Sequence, residues 1–209
     1  MKVDTQEREL LIRDKYQGDR TADLSEDLQR LSSGEPLAYV IGWIPFCGVR
    51  IELSSRPLIP RPETEWWTLD LIEHLKQKFR DSPFTLLDLC AGSGAIGISV
   101  LSALPNARVH FAELVPEHVA QIQANLLING IDVSRVELHQ GDLFSALPDV
   151  SFNVIATNPP YVPSMRELEK SVIDFEPAEA LFAGTDGLDL VRTIARDTPS
   201  HLLPRGELW

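Results

Sequence analysis

Apolar residues along the chain fall into two textures. Up to residue 33 the sequence is polar and charged, with Leu10, Leu11 and Ile12 as one apolar group and Leu24, Leu28 and Leu31 as a second. The second group has the i, i+4, i+7 spacing that lines one face of a helix. The segment therefore predicts one or two short amphipathic helices, the second capped by Ser25 or Asp23. Ser32-Ser33-Gly34-Glu35-Pro36 breaks that pattern. From 37 to 62, β-branched and aromatic residues are interrupted by Gly and Pro. Tyr39-Val40-Ile41-Gly42-Trp43, then 46–53, then Leu58-Ile59-Pro60-Arg61-Pro62 predict strands joined by tight turns, including a hairpin. Helical periodicity returns over 63–79, with Pro62 suited to the first turn, where a missing N–H costs nothing.

From residue 85 onward the pattern alternates. Short apolar runs at 85–89, 108–112, 136–139 and 152–157 read as strands, with helical stretches at 95–104 and 117–129 between the first three. This rhythm predicts βαβ units in a parallel sheet with helices on both faces, a doubly wound, Rossmann-like α/β fold. The chain divides into a short helical segment (1–33), a β-hairpin linker (34–62) and the α/β domain (63–209). A last helix, 189–197, precedes 202–209, which reads as the turn into a fifth strand.

Composition narrows the function. With 31 Asp+Glu against 19 Lys+Arg, the 209-residue chain carries a net charge of −12. Proteins that grip a phosphate backbone carry an excess of Lys and Arg, so nucleic acid is an unlikely partner and a basic protein surface a better one. No run approaches the ~20 apolar residues that cross a bilayer, and the charged first ten residues lack the apolar core of a signal peptide, which predicts a cytoplasmic protein without membrane partners. Cys47 and Cys90 have no CxxC spacing, and His74, His110, His118, His139 and His201 show no ligand-like pairing, so no metal site is predicted.

Candidate chemistry sits at two strand ends. Asp88-Leu89-Cys90-Ala91-Gly92-Ser93-Gly94 runs from a strand into a helix, where glycines let a ligand approach the backbone and the helix N-terminus offers N–H groups. Glu113 closes the next strand, placed to accept both hydroxyls of a ribose. Gly92, Gly94 and Gly97 have G-x-G-x-x-G spacing, so a dinucleotide stays open on that turn alone; without a ligand it reads as a tight turn, with Asp88 capping the loop. The second strand end, Asn158-Pro159-Pro160-Tyr161, faces the same crevice in a doubly wound sheet.

Asn158-Pro159-Pro160-Tyr161 resembles the catalytic motif of S-adenosylmethionine-dependent methyltransferases acting on planar amino or amide nitrogens. With Gly34-Glu-Pro-Leu-Ala-Tyr39, Leu58-Ile-Pro-Arg-Pro-Glu-Thr-Glu65, Gln140-Gly-Asp-Leu-Phe144, Phe175-Glu-Pro177 and Gly184-x-Asp-Gly-Leu188, the sequence from about residue 34 onward resembles the HemK/PrmC family of release-factor glutamine methyltransferases. The resemblance implies a class I methyltransferase fold and S-adenosylmethionine as cofactor. It further implies a class 1 peptide chain release factor as partner, methylated at N5 of the glutamine in its Gly-Gly-Gln motif. Asn158 and Pro159 would accept the substrate amide N–H groups, Pro160 would fix their separation, and Tyr161 would offer a flat face. Asp88, Cys90, Ala91, Gly92, Ser93, Gly94, Glu113, Asp142, Leu143 and Asn158 would bind the cofactor, while Arg61 and Glu63 would contact substrate or pair with each other.

The family usually has Gly at position 90 and Asp at position 113; Cys90 fits if its φ is negative. The resemblance also implies a longer N-terminal domain and further C-terminal strands, so the chain reads as truncated, with an exposed sheet edge. Trp66 and Trp67 are expected between helix and sheet. Two other functions share the motif: adenine-N6 or guanine-N2 methylation of nucleic acid, and an inactive methyltransferase-fold binding module.

Overall fold

A computed structural model describes residues 4–209; residues 1–3, at the start of the predicted helical segment, lie outside the described residues. Helices α1 (Thr5–Asp14) and α2 (Ser25–Ser32) form the N-terminal segment. A capping box starts α1, with Asp4 and Glu7 exchanging backbone and side-chain hydrogen bonds. At α2, Leu24 is the N-cap, and Asp23 Oδ1 accepts from Ser25 N at 2.9 Å. Leu11, Ile12, Leu24, Leu31 and Val40 make a small core of their own.

The predicted first strand of the linker is instead a helix, α3 (Leu37–Ile41), which follows Pro36 and stops at Gly42 with φ 96°. The hairpin itself is present. Strands β1 (Trp43–Phe46) and β2 (Val49–Glu52) pair antiparallel through Cys47-Gly48, whose φ values of 47° and 81° are those of a type I′ turn. Leu58 to Pro60 forms no strand but an extended link into α4 (Pro62–Phe79), with Pro62 in its first turn.

Beyond it lie β3 (Phe84–Leu89), α5 (Ala95–Ala103), β4 (Ala107–Glu113), α6 (Pro116–Ile128), β5 (Val136–Gln140), β6 (Phe152–Thr157), α7 (Lys170–Ile173), α8 (Asp189–Asp197) and β7 (Leu202–Leu208). The five strands form one parallel sheet in the order β5-β4-β3-β6-β7. Its central strands are buried on both faces, hence their continuous apolar runs. On one face Leu86, Val109, Phe111 and Val154 pack with Ile98 and Ile122; on the other Leu87, Leu89, Phe152 and Ile155 pack with Ile194 of α8. β7 stands at one edge of this sheet, with Leu203 and Leu208 exposed. No helix of the described residues is long and apolar enough to cross a membrane.

Hairpin and domain are joined by an amide ladder. Gln121, Asn125 and Asn129, spaced by one helical turn on α6, present side chains to the free edge of β2. Asn129 Oδ1 accepts from Arg50 N and Asn125 Oδ1 from Glu52 N, both at 2.9 Å; Gln121 Oε1 accepts from Ser55 N at 3.0 Å. The amide nitrogens of Asn129 and Asn125 return bonds to the Arg50 and Glu52 carbonyls. Side chains thus complete an edge that no strand covers.

Candidate active site

The sheet order reverses between β3 and β6, so the loops leaving these strands diverge and open a crevice at their C-terminal ends. Thr157 Oγ1 donates to the Leu89 carbonyl at 2.7 Å and ties the two strand ends together. Above this tie, Cys90, Gly92, Glu113, Asp142, Leu143, Asn158 and Pro160 converge on one cavity. Seven of the residues singled out in the sequence, from four strand ends, therefore share one wall.

The β3–α5 loop bends through three left-handed residues, Cys90 (φ 60°), Gly92 (φ 54°) and Gly94 (φ 79°). The negative φ expected of Cys90 is not found: the turn forces its backbone into the region that favours glycine. Gly92 faces open space, whereas a Cβ on Gly97 would strike the Phe111 ring. The third glycine therefore serves helix–strand packing and the first leaves a cradle for a ligand. Ala91 and Ser93 are buried within the loop and Gly94 caps α5.

Glu113 is 8% exposed, and each of its oxygens accepts a backbone N–H: Oε2 from Gly92 at 2.8 Å, Oε1 from Val115 at 2.9 Å. The carboxylate locks the loop, and each oxygen keeps a lone pair for a further donor. Asp88 takes its capping role instead of lining the cavity. It is fully buried, Oδ2 accepts from Gly97 N at 2.8 Å, and Oδ1 has no partner among the described residues. Burial pushes its carboxyl up to about 8 against the lowering effect of the Gly97 N–H. Burial likewise lifts the Cys90 thiol to about 12, so it lines the cavity as a neutral group.

Asn158 is oriented from a residue the sequence reading missed. Its Nδ2 donates to Thr64 Oγ1 at 3.2 Å, in the first turn of α4. Thr64 is buried, and its carbonyl accepts from Thr68 Oγ1 at 2.7 Å. With the nitrogen turned to Thr64, Oδ1 is the end left to accept from a ligand. Val162, after the tetrapeptide, exchanges backbone bonds with Leu181 and Ala183 at 2.8 and 3.0 Å, which fixes the loop to the 175–188 segment.

Pro159 and Tyr161 open onto an adjoining groove with Leu58, Arg61 and Arg166. Arg61 pairs at 2.6 Å with Glu176, not with Glu63; Glu176 is buried and also accepts from Ile59 N at 3.1 Å. Glu63 is exposed, and so is Trp66, at 68%, outside the helix–sheet interface where it was expected; Trp67 does pack against the core. His118 also lines the cavity, its Nδ1 2.9 Å from Ser55 Oγ. Strand register brings His110 and His139 together beside Glu137, a neighbourhood that their spacing in the sequence does not show.

Residues 68–178 match the methyltransferase small domain family. The chain is 34% identical to the release factor glutamine methyltransferase of Lactococcus lactis subsp. lactis (strain IL1403), covering 95% of this chain and 72% of that one. It is 34% identical to the same-named protein of Deinococcus radiodurans, covering 91% and 66%. With that of Pseudomonas aeruginosa identity is 38%, covering 87% and 64%. The chain thus spans about two thirds of the length of these relatives. Among solved structures, a SAM-dependent methyltransferase from Agrobacterium tumefaciens superposes with a TM-score of 0.57 at 15% identity, covering 79% of this chain and 50% of that one. A methyltransferase from Pyrococcus furiosus gives 0.53 at 18%, covering 88% and 77%. Both share the fold.

Proposed function

Because the chain belongs to the release factor glutamine methyltransferase family, we propose that it methylates the side-chain amide nitrogen of the glutamine in the Gly-Gly-Gln motif of a class 1 peptide chain release factor, with S-adenosylmethionine as donor. The observation that carries this reading is Asn158, whose nitrogen is occupied by Thr64 and whose oxygen is left to accept. S-adenosylmethionine supplies an electrophilic methyl group. The cavity suits it in donor set: Gly92 leaves a cradle, Glu113 would offer two acceptor oxygens to ribose hydroxyls, and Asp142 and Leu143, which line the cavity, would contact the adenine.

A primary amide nitrogen is a weak nucleophile because its lone pair is delocalised into the carbonyl. The chain's residues meet this by orientation. Asn158 Oδ1 and the Pro159 carbonyl would accept the two amide N–H groups, which turns the lone pair toward the methyl and stabilises the positive charge that develops on nitrogen; as the N–C bond forms the methyl–sulfur bond breaks to leave the thioether, and the methylated nitrogen loses one proton to water. Alignment of this kind lowers a barrier by up to ~7–11 kcal/mol. Pro160 fixes the separation of the two acceptors and Tyr161 offers its ring to the amide plane. Arg61, in the adjoining groove, and exposed Glu63 would contact the substrate loop. The net charge of −12 favours a protein substrate over nucleic acid.

The test incubates the chain with methyl-labelled S-adenosylmethionine and either a release factor containing Gly-Gly-Gln or adenine-containing DNA. Label is expected on the release factor glutamine and is expected to vanish with Asn158→Ala while calorimetric cofactor binding persists. Label on DNA, or cofactor binding without transfer to either, overturns the reading.

A further inference from the structure

The outer edge of the sheet carries a cluster that methyl transfer does not use. His110 lies on β4; Glu137 and His139 lie on the edge strand β5. In the parallel register His110 is opposite Glu137, and His139 follows two residues later, so all three side chains leave the same face. His110 Nδ1 and His139 Nε2 stand 3.1 Å apart, and a Glu137 carboxylate oxygen is 3.6 Å from the first and 3.7 Å from the second.

These separations are those of atoms sharing one ion. Three ligands held ~2.0–2.1 Å from a tetrahedral zinc stand roughly 3.4 Å from one another. We infer that His110, Glu137 and His139 form a binding site for one divalent transition-metal ion of the zinc class, with a fourth position open to water. Two imidazoles and one carboxylate match the donor preference of such ions, whereas calcium and magnesium take oxygen sets.

The surroundings favour the ion. Phe152 packs edge-on against the His110 ring, centroids 5.0 Å apart, and restricts its rotation. The cation on the same face, Arg108, is held by the Ser134 carbonyl at 2.8 Å. Without an ion the two rings share one N–H···N hydrogen bond; an ion would bind both nitrogens in the tautomers that carry their protons on His110 Nε2 and His139 Nδ1. The ion would join an edge strand to its neighbour three residues before Glu113 on β4 and three before Asp142 after β5. It would thereby anchor the two strands whose ends form the cavity wall.

Titrating the metal-free 209-residue chain with Co(II), followed by its visible d–d absorption, tests the site, with Zn(II) in equilibrium dialysis for stoichiometry. One ion per chain is expected, with a tetrahedral spectrum and a rise in Tm on Zn(II) addition. His139→Ala should abolish binding. Glu137→Gln, at an exposed position, should keep the fold and weaken affinity by at least about tenfold. His74→Ala, which removes the His74–Glu207 contact elsewhere on the surface, should leave stoichiometry unchanged. No saturable binding by the wild-type chain, or binding that survives His139→Ala, overturns the assignment.

Discussion

Cys90 holds a left-handed backbone in the loop that lines the cavity, a conformation that crowds any residue with a Cβ. In ordinary backbone Ala is more stable than Gly; here the order inverts. Cys90→Gly should exceed Cys90→Ala in unfolding free energy by about 1 kcal/mol, both lacking the thiol. Urea denaturation of the pair measures this, and equal stabilities would show a relaxed loop. Asp88, two residues earlier, stores a different cost. Its carboxyl is raised from 3.8 to about 8, so the folded chain retains a proton that the unfolded chain releases. Its contribution to stability is complete below the unfolded value and is lost as pH climbs through the folded one. The loss reaches up to ~1.4 kcal/mol per pH unit within that window. Asp88→Asn removes the titration, so the stability of the variant relative to wild type should rise between pH 4 and pH 8. A pH-independent difference would place a charged Asp88 in the fold.

At the scale of elements, α5 is pressed on β4 through Gly97. A methyl group there would meet Phe111 Cζ at 2.7 Å and Val109 Cγ1 at 2.9 Å, neither at a flexible chain end. Gly97→Ala should therefore destabilise by about 1–3 kcal/mol, despite the better helix propensity of alanine, with the loss visible as a lowered Tm. The central strands were legible in the sequence because burial of both faces leaves unbroken apolar runs, and each α5- or α6-length stretch gives enough turns to show periodicity. Leu37–Ile41 was not legible, since a helix of little more than one turn shows no period and its aromatic and β-branched residues suit a strand equally well. The Cys90 conformation was hidden because the direction of a turn is set by the strand and helix it joins. His110 and His139, 29 residues apart, become neighbours only through register. Thr64 stood inside the Leu58–Glu65 motif, but its role had no signal, because its partner Asn158 lies 94 residues away.

Across the whole molecule, the crevice is assembled from parts that touch it at different depths. Asn158 is oriented from α4, the Arg61–Glu176 pair ties the linker to the 175–188 segment, and the β3–α5 loop is locked by Glu113 from β4. Asn125 joins two of these regions. Fully buried on α6, its amide bonds both Glu52 of the hairpin and the Ser93 carbonyl of the cavity loop. A polar residue on a helix reads in sequence as a solvent-facing position, which is why this connection could not be foreseen.

The ladder from Gln121 to Asn129 makes the outer edge of β2 report on a helix. Amides of Arg50, Glu52 and Ser55 on an uncovered edge would trade their protons for deuterons within moments of transfer to heavy water. Bonded to α6 side chains, they should be slowed together, and Asn125→Ala should release all three while the β1–β2 amides change little. If the three exchange independently, the hairpin and helix open as separate units; if together, the hairpin clock is set by the helix beneath it.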